Sequence, residues 1–251
     1  MTTATLPTRR DEAWRYADMD ALARLGAAAL DAWQEITVPA DESVTRCFVV
    51  GSAAPEVHRI RLTIGEGASA AFFVTNVGSD YTRVELEVRL ARGAHFEFGG
   101  VTIGGAGVTR EFVTQVVHAE PEATSNQTVR AVHWAAATGN FLGEIKVARH
   151  AQKTDAAQDF KGLLLEAGAS ANAVPQLEIF ADDVKCAHGA TVGELDEGAR
   201  FYMMARGVDP ASAQRLLVQA FIGDAFVALE DEAERETLLD AALAALEGAR
   251  L

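Results

Sequence analysis

A short stretch at residues 84–98, VELEVRLARGAHFEF, decides the fold. Apolar and polar side chains alternate along its first half and again at Phe96 and Phe98, after a Gly93-Ala94 pair. Alternation with a period of two places the apolar side chains on one face of a strand. The same alternation occurs upstream at Ile60, Leu62 and Ile64. Helical periodicity is largely absent between these segments and the end of the region, so we predict a β core over residues 39–192.

A faint repeat runs through this β region. Pairs of a turn-type residue and an alanine recur at Gly67-Ala68, Gly93-Ala94, Glu122-Ala123, His150-Ala151, Gly168-Ala169 and Gly189-Ala190. Their first positions lie 26, 29, 28, 18 and 21 residues apart. Spacing in the twenties is typical of the coils of a β-solenoid, whereas the Asn-Gly and Asp-Gly signals of tight hairpins do not occur here. The pattern favours a solenoid and leaves a jelly roll or another sandwich open.

The segment before the β core, residues 1–38, reads as helical. Thr8 is a suitable N-cap with Asp11 at the third helical position, which predicts a helix over roughly 8–34. Apolar residues recur at helical spacing as Trp14, Met19, Leu22, Leu25 and Leu30. Gly26 interrupts this pattern, and Pro39 marks the boundary with the β core.

Helical patterning returns over residues 193–251. A first helix ends near Gly207, and Asp209-Pro210 supplies the N-cap and first-turn proline of a second. The predicted apolar face of the second helix comprises Leu216, Leu217, Ala220, Phe221 and Phe226. A last helix runs from about Glu232 to Leu246 and stops at Gly248, with Leu239, Ala242, Leu243 and Leu246 on one side. These stripes pack on the β core or on each other, or part of them docks a partner.

Composition excludes several classes of function. The chain has 251 residues and carries 36 acidic against 22 basic residues, a formal net charge of −14. Such a surface repels phosphate backbones and anionic lipids, so we expect neither nucleic-acid nor membrane binding. No apolar run of about 18 residues is present, and the N-terminus has no apolar stretch typical of a signal peptide. Two cysteines make no disulfide framework, which favours a cytoplasmic protein.

Several kinds of catalytic or nucleotide site are poorly supported. Gly99-Gly100 and the glycines at 104, 105 and 107 lack a following Gly-Lys-Ser/Thr, so we interpret them as turns and coil corners and expect no nucleotide on this chain. Asp182 and Asp183 are adjacent and point to opposite faces of a strand. Asp155 and Asp159 are expected to be solvated surface acids. A stand-alone parallel β-helix enzyme acting on carbohydrate remains the alternative, although only 7% of the residues are aromatic.

The histidines offer one candidate metal site. His58, His95, His118, His133 and His150 stand alone, without the His-x-His or His-x-x-x-His spacing of local metal centres. Cys186 and His188, by contrast, are two residues apart and share one face of a strand, about 6–7 Å apart along the chain. Two ligands do not hold a zinc ion or an iron–sulfur cluster, which need about four. Either Cys186 is structural beside an incidental histidine, or another chain supplies the remaining ligands.

Three blocks of the sequence resemble the SufD family, scaffold subunits of the Suf iron–sulfur cluster assembly machinery. The longest is LEIFADDVKCAHGATVGELDEGARFYMMARGV at residues 177–208, and SAQRLLVQAFIGD at 212–224 follows it. RRDEAWRYADMDAL at residues 9–22 is similar to a segment shared by SufB and SufD. The Cys-Ala-His-Gly-Ala-Thr order favours SufD over SufB.

The resemblance implies a right-handed parallel β-helix with a short N-terminal helical segment and a C-terminal helical region. It also implies a non-enzymatic scaffold that pairs with a SufB-like paralogue and a SufC-like ABC ATPase. A homodimer of this chain in isolation is left open. The chain is short for the family, so roles that depend on a larger N-terminal domain are not carried over.

The resemblance further implies which residues act. His188 is the histidine implicated in cluster assembly, with Cys186 as the nearby thiol, and together they would contribute to iron or a transient iron–sulfur cluster shared with the partner subunit. Whether a flavin binds is left open. The C-terminal helical region is the part that contacts the ATPase, and the residues expected there are Phe201, Tyr202, Arg206, Leu216, Leu217 and Phe221.

Overall fold

The computed structural model describes residues 6–246 and contains two six-stranded parallel sheets. Successive strands alternate between the sheets, so two strands complete one coil and about six coils stack into a β-solenoid. One sheet contains the odd-numbered strands and the other the even-numbered strands, and within each sheet the strands lie side by side in chain order. The predicted parallel β-helix is therefore confirmed, and the jelly-roll alternative is excluded.

The strands are β1 (Trp33–Val38), β2 (Ser43–Val50), β3 (Glu56–Ile64), β4 (Ser69–Asn76), β5 (Tyr81–Leu90), β6 (His95–Gly104), β7 (Thr109–His118), β8 (Thr124–His133), β9 (Thr138–Val147), β10 (Asp155–Leu164), β11 (Ser170–Ile179) and β12 (Lys185–Glu194). The helices are α1 (Met19–Leu25), α2 (Ala27–Leu30), α3 (Glu197–Met204), α4 (Pro210–Gly223) and α5 (Glu232–Ala245), with 3₁₀ turns at Glu12–Trp14 and Asp224–Phe226. Strands thus begin at Trp33 and end at Glu194, whereas the sequence pattern places the β core at 39–192. The six residues before Pro39, within the segment predicted to be helical, form the edge strand β1.

The faint sequence repeat has a structural origin in one stack of turns. Gly67, Gly93, Glu122 and Lys153 all adopt positive φ between 62° and 66°. Each of their N–H groups donates to a carbonyl of the next coil, as Gly93 does to Pro121 at 3.1 Å. Glycine adopts this conformation without strain, and the two non-glycine residues are held in it by the stack.

Only the first three predicted turn marks belong to this stack. The fourth turn is Lys153-Thr154 instead of His150-Ala151, and the buried Thr154 hydroxyl donates to the Ala151 carbonyl. Gly168-Ala169 lies in the turn between β10 and β11, and Gly189-Ala190 lies inside β12. The coil length grows from 26 residues (33 to 59) to 32 residues (138 to 170), and the fourth turn, Lys153-Thr154, contains no alanine, so the pair pattern does not find it.

The interior of the solenoid is the main apolar core. The residues predicted to face inward are all buried: Ile60, Leu62, Ile64, Val84, Leu86, Val88, Leu90, Phe96 and Phe98. Facing aromatic rings fill the space between the sheets, with the Phe98 and Phe112 rings edge-to-face at 5.3 Å and the Phe141 and Phe160 rings stacked at 5.8 Å. Fully buried phenylalanines of this kind supply a large part of the hydrophobic stabilisation.

The N-terminal segment packs on the outer face of the odd-numbered sheet. The predicted apolar residues do form one cluster, which also includes Tyr81, but the single helix over 8–34 is wrong. Asp18 caps α1, and Gly26 at φ 77° separates α1 from α2, so the chain turns to cover the sheet. The Trp14 ring lies 3.8 Å from the guanidinium carbon of Arg83, a fully buried arginine on that face.

The C-terminal helices cover the outer face of the even-numbered sheet. Val218 and Ile222 of α4, Phe226, and Leu238 and Leu243 of α5 form a second core with that sheet. The stripes therefore pack on the β core. The predicted face of α4 is corrected, because its buried residues are Ala213, Gln214, Val218 and Ile222, while Leu216 is exposed. Helix α5 spans Glu232–Ala245, and the predicted stop at Gly248 lies outside the described residues.

Glycine in strand β6 makes this close packing possible. A Cβ atom on Gly99 would lie 2.0 Å from the carbonyl oxygen of Ala225 and 2.6 Å from the Phe73 ring. Gly99, Gly100 and Gly104 are therefore strand residues at close approaches, which corrects their interpretation as turns. Gly107 does lie in a turn, at φ 77°. Among residues 6–246, no helix is long and apolar enough to cross a membrane.

Candidate functional site

The site that the sequence singles out lies at the C-terminal end of the solenoid. Strands β11 and β12 form the last coil, and each pairs on one side only, with β9 and β10 respectively. The other edge of each strand presents its backbone N–H and C=O groups unpaired by any strand of the described chain. Such edges are templates for pairing with another chain unless they are protected.

Cys186 and His188 both lie on β12 and continue two inward-facing columns of the even-numbered sheet. Cys186 pairs with Ala156, and His188 pairs with Gln158, which are both buried in the preceding coil. In-register neighbours of a parallel sheet point to the same side, so the two candidate ligands share the inner face of the last coil. No further coil covers them within residues 6–246, and His188 is exposed while Cys186 is half-buried.

The thiol of Cys186 is not activated by its surroundings. It packs against an apolar cluster that includes Ile145 and Ala156. Burial raises the pKa of the Cys186 thiol, and the negative charge of Asp155 raises it further. The thiolate is the nucleophile and the metal ligand, so Cys186 needs a nearby cation or metal before it can act as either.

His188 is the more available ligand. Its imidazole makes no hydrogen bond to any residue in the described part of the chain, and it is exposed at the solenoid mouth. Four other histidines, His58, His95, His118 and His133, hydrogen-bond to side chains elsewhere in the solenoid, and His150 is exposed in the turn after β9. His133 is buried, with Nε2 3.0 Å from the Thr102 hydroxyl, and burial, with the charge of Arg110 adding to it, lowers its pKa to about 3. Burial likewise lowers the pKa of His118 to about 4.

The described chain does not complete a metal site at this end. Among residues 6–246, no group of three or more His, Cys, Asp or Glu side chains is arranged to hold a metal ion. Asp183 instead forms an ion pair with Lys153, and Asp182 is exposed. Cys186 and His188 are suitable ligand types for iron, but two ligands fall short of the usual four.

Exposed apolar side chains surround the last coil. Ile179 is the last residue of β11, Phe180 follows it, and Val192 lies on β12; all three are exposed. We call Ile179, Phe180 and Val192 the end-coil patch. Large apolar side chains that are exposed at an uncovered solenoid end are candidates for burial against another chain.

A second exposed apolar group lies on α3 and α4. Phe201 is 71% exposed, and Tyr202 and Leu216 are also exposed. The guanidinium of Arg206 stacks 3.4 Å from the centroid of the Tyr202 ring. We call Phe201, Tyr202, Arg206 and Leu216 the helical patch.

Leu217 and Phe221 behave differently from the other residues expected to contact an ATPase. Both are half-buried and line a groove between α4 and β12 together with Thr191 and Val192. They therefore lie between the helical patch and the end coil.

A buried ion-pair group around Arg130 lies two strands before the last coil and has no local signal in the sequence. Arg130 on β8 is buried on the outer face of the even-numbered sheet, where it contacts Asp159 of β10 and Asp224 beyond α4. Asp159 was predicted to be a solvated acid, and it is instead half of an ion pair. The signal was weak, because Arg130 and Asp224 are 94 residues apart in the chain.

Comparison with known proteins identifies the family. The family model described as "SUF system FeS cluster assembly, SufBD core domain" matches residues 26–221. The chain is 44% identical over 99 residues to the iron–sulfur cluster assembly protein SufD of Escherichia coli, covering 39% of this chain and 23% of that protein. It is 47% identical over 81 residues to the chloroplast protein ABCI7 of Arabidopsis thaliana, covering 32% and 17%.

A third relative aligns over more of the chain. An iron–sulfur cluster assembly SufBD family protein of Synechocystis is 28% identical over 193 residues, covering 76% of this chain and 43% of that protein. The aligned part thus spans less than half the length of each of these three relatives. Because the family match covers most of the chain and includes β12, the chain belongs to the SufBD core family of the SUF system for iron–sulfur cluster assembly, with SufD proteins among its relatives.

Proposed function

We propose that this chain is a non-enzymatic scaffold subunit for iron–sulfur cluster assembly. The observation that carries the proposal is the open last coil, which presents His188 and Cys186 at unpaired strand edges in a member of the SufBD family. Iron or a nascent cluster is the cargo of such a scaffold. An incomplete ligand set is suited to this role, since partial coordination by each subunit leaves the cargo easy to release.

We propose a SufB-like paralogue as the partner at the last coil. A second solenoid end would pair with the free edges of β11 and β12 and cover the end-coil patch. It would also bring the missing ligands next to His188. In this arrangement His188 is the primary ligand from this chain, and Cys186 contributes once the approach of a metal lowers its raised pKa.

We propose that a SufC-like ABC ATPase binds the helical patch. The patch is separate from the inner face of the last coil, so both partners have room to bind at once. This chain itself is proposed to bind no nucleotide, because its glycine-rich segment is committed to strand packing against Ala225 and Trp134. The family relationship to cluster assembly favours this scaffold role over the alternative of a carbohydrate-active enzyme.

Two matched charge substitutions test the two partner assignments together. Phe180→Glu is expected to abolish co-purification of the paralogue and to retain the ATPase. Phe201→Glu is expected to do the reverse. Val227→Glu is the control, since Val227 is 74% exposed and lies in neither patch. Retention of both partners by all three variants would show that neither patch is the binding surface.

A further inference from the structure

Arg130 is a buried cation that joins three parts of the fold. Its side chain is 2% exposed and projects from the outer face of β8. Nη2 donates to the Asp159 carboxylate at 2.5 Å, and Nε donates to the Asp224 carboxylate at 3.0 Å. Lys161 lies 3.6 Å from Asp159 and 4.0 Å from Asp224, so the group balances two positive and two negative charges. We call Arg130, Asp159 and Asp224 the charge clasp.

The first arm of the clasp holds the end of α4. Asp224 directly follows α4 and opens the 3₁₀ turn that rests on Gly99. The Ala225 carbonyl of this turn packs directly on Gly99 of the sheet, and Arg130 holds Asp224 at the start of the same turn. Because the Arg130 side chain is buried, loss of the Asp224 carboxylate removes one of its charged acceptors, so the ion pair ties the end of α4 to this position on the sheet.

The second arm of the clasp reaches the last strand. Asp159 pairs in register with Gly189, the residue that follows His188. A Cβ atom on Gly189 would lie only 3.1 Å from Oδ1 of Asp159, so this carboxylate lies directly against the backbone of β12. Arg130 also donates from Nη1 to the Asp159 backbone carbonyl at 3.2 Å, which fixes β10 beneath it.

We propose that the charge clasp is a positioning device that couples α4 to the strand carrying His188. The proposal rests on the function proposed above, in which a protein bound to the helical patch must influence the last coil. A displacement of α4 moves Asp224, changes the hydrogen bonds of Arg130 and thereby releases or shifts Asp159 against Gly189. Arg130, Asp159 and Asp224 touch neither cargo nor partner ligands in this scheme; they act through the backbone next to His188.

Amide hydrogen exchange of the isolated chain tests the coupling without any partner. Asp224→Asn removes the charge from one arm, and Asp224 pairs with neither β12 nor His188. We expect the exchange protection of residues 185–194 to fall about tenfold, because a charge-assisted hydrogen bond to a half-exposed carboxylate is lost. Asp224→Glu, which restores the charge, is expected to recover most of the protection.

A second variant separates coupling from a general loss of stability. Thr75→Val removes another tether between helices and sheet, the 2.9 Å bond from the Thr75 hydroxyl to the Leu238 carbonyl. That tether joins α5 to β4, far from β12 in the strand order. Thr75→Val is expected to leave the protection of residues 185–194 unchanged. Unchanged protection in Asp224→Asn, or an equal loss in both variants, would overturn the proposal.

A measurement with the ATPase keeps this proposal distinct from the proposed function. Addition of a SufC-type ATPase is expected to change exchange in β12 of the natural chain at least threefold and to leave β12 of Asp224→Asn unchanged. If the ATPase does not bind the natural chain, the proposed function fails while the isolated-chain result still decides the coupling. If it binds and changes β12 equally in both chains, the coupling does not pass through the clasp.

Discussion

Gly99→Ala is the substitution that most sharply tests how the C-terminal helices sit on the solenoid. The added Cβ would lie 2.0 Å from the backbone oxygen of Ala225 and 2.6 Å from the Phe73 ring, far inside normal contact distance. A backbone oxygen cannot swing aside as a side chain does, so the 3₁₀ turn and the start of α5 must lift from the sheet. Overpacking of this kind costs about 1–3 kcal/mol, and we expect the upper half of that range.

The control for this prediction is Gly193→Ala. Gly193 is also a strand glycine, but no atom lies within 4 Å of a Cβ added there, so the change in stability is expected to stay within about 0.5 kcal/mol. In a chain of this size a loss of 2–3 kcal/mol lowers Tm by roughly 4–12 °C. Urea denaturation and calorimetry measure both variants. Equal stability of Gly99→Ala and Gly193→Ala would refute the packing of the helical layer against β6.

Three further predictions follow from buried or strained groups. Because both rings are buried, the pKa values of His118 and His133 in the folded chain, about 4 and about 3, lie below the ordinary value of 6.5. Below pH 6.5 the unfolded chain therefore binds more protons than the folded chain, and the free energy of unfolding falls as the pH drops from 6.5 towards 3. Each histidine adds up to about 1.4 kcal/mol per pH unit to the pH dependence of the free energy of unfolding. His133→Gln is therefore expected to weaken this pH dependence in acid unfolding experiments, and His150→Gln, at an exposed histidine, serves as the control. Burial, together with the nearby negative charges of Glu234 and Asp231, raises the pKa of the Cys47 thiol to about 11. Cys47 is therefore expected to react with iodoacetamide at pH 8 at least tenfold more slowly than a free thiol, as measured by mass spectrometry. A normal rate would contradict its burial. Lys153→Gly, at φ 63° in the turn stack, is expected to stabilise the fold by up to about 1 kcal/mol, whereas Lys146→Gly, within strand β9, is expected to destabilise it. Urea denaturation that shows the opposite order would contradict the account of the turns.

The β core could be predicted from the sequence because its evidence is local, whereas the choice of a solenoid over a sandwich depended on the faint repeat and on the resemblance to the SufD family. Alternation at residues such as Leu86 and Val88 depends only on the period of a strand, and both side chains are buried in the interior as predicted. The turn marks were reliable at Gly67, Gly93 and Glu122, where successive turns are 26 and 29 residues apart. They failed after Glu122, where longer coils moved the next turn to Lys153.

The face of α4 could not be read from the sequence for a different reason. The helix carries apolar residues on more than one side, and periodicity does not distinguish the side that meets the sheet from the side that faces outward. Val218 and Ile222 are buried, while Leu216 is exposed at the helical patch. The buried face is decided by the packing of α4 against the even-numbered sheet, which depends on tertiary structure.

The candidate ligands show the same division between local and long-range information. The shared strand of Cys186 and His188 was predictable from their spacing. Their place at an uncovered solenoid end follows from the strand order, which no local pattern encodes. The charge clasp was missed because it joins Arg130 to a residue 94 positions away.

The most direct test of the account is cluster formation on the assembled complex with His188 replaced. The natural chain, His188→Ala and the control His150→Ala, an exposed histidine in a turn, would each be co-expressed with the paralogue and the ATPase and reconstituted anaerobically with iron and sulfide. The account predicts that His188→Ala assembles an intact complex whose cluster content, measured by absorbance and Mössbauer spectroscopy, falls at least tenfold, while His150→Ala matches the natural chain. A full cluster yield on His188→Ala would contradict the assignment of the last coil as the assembly site.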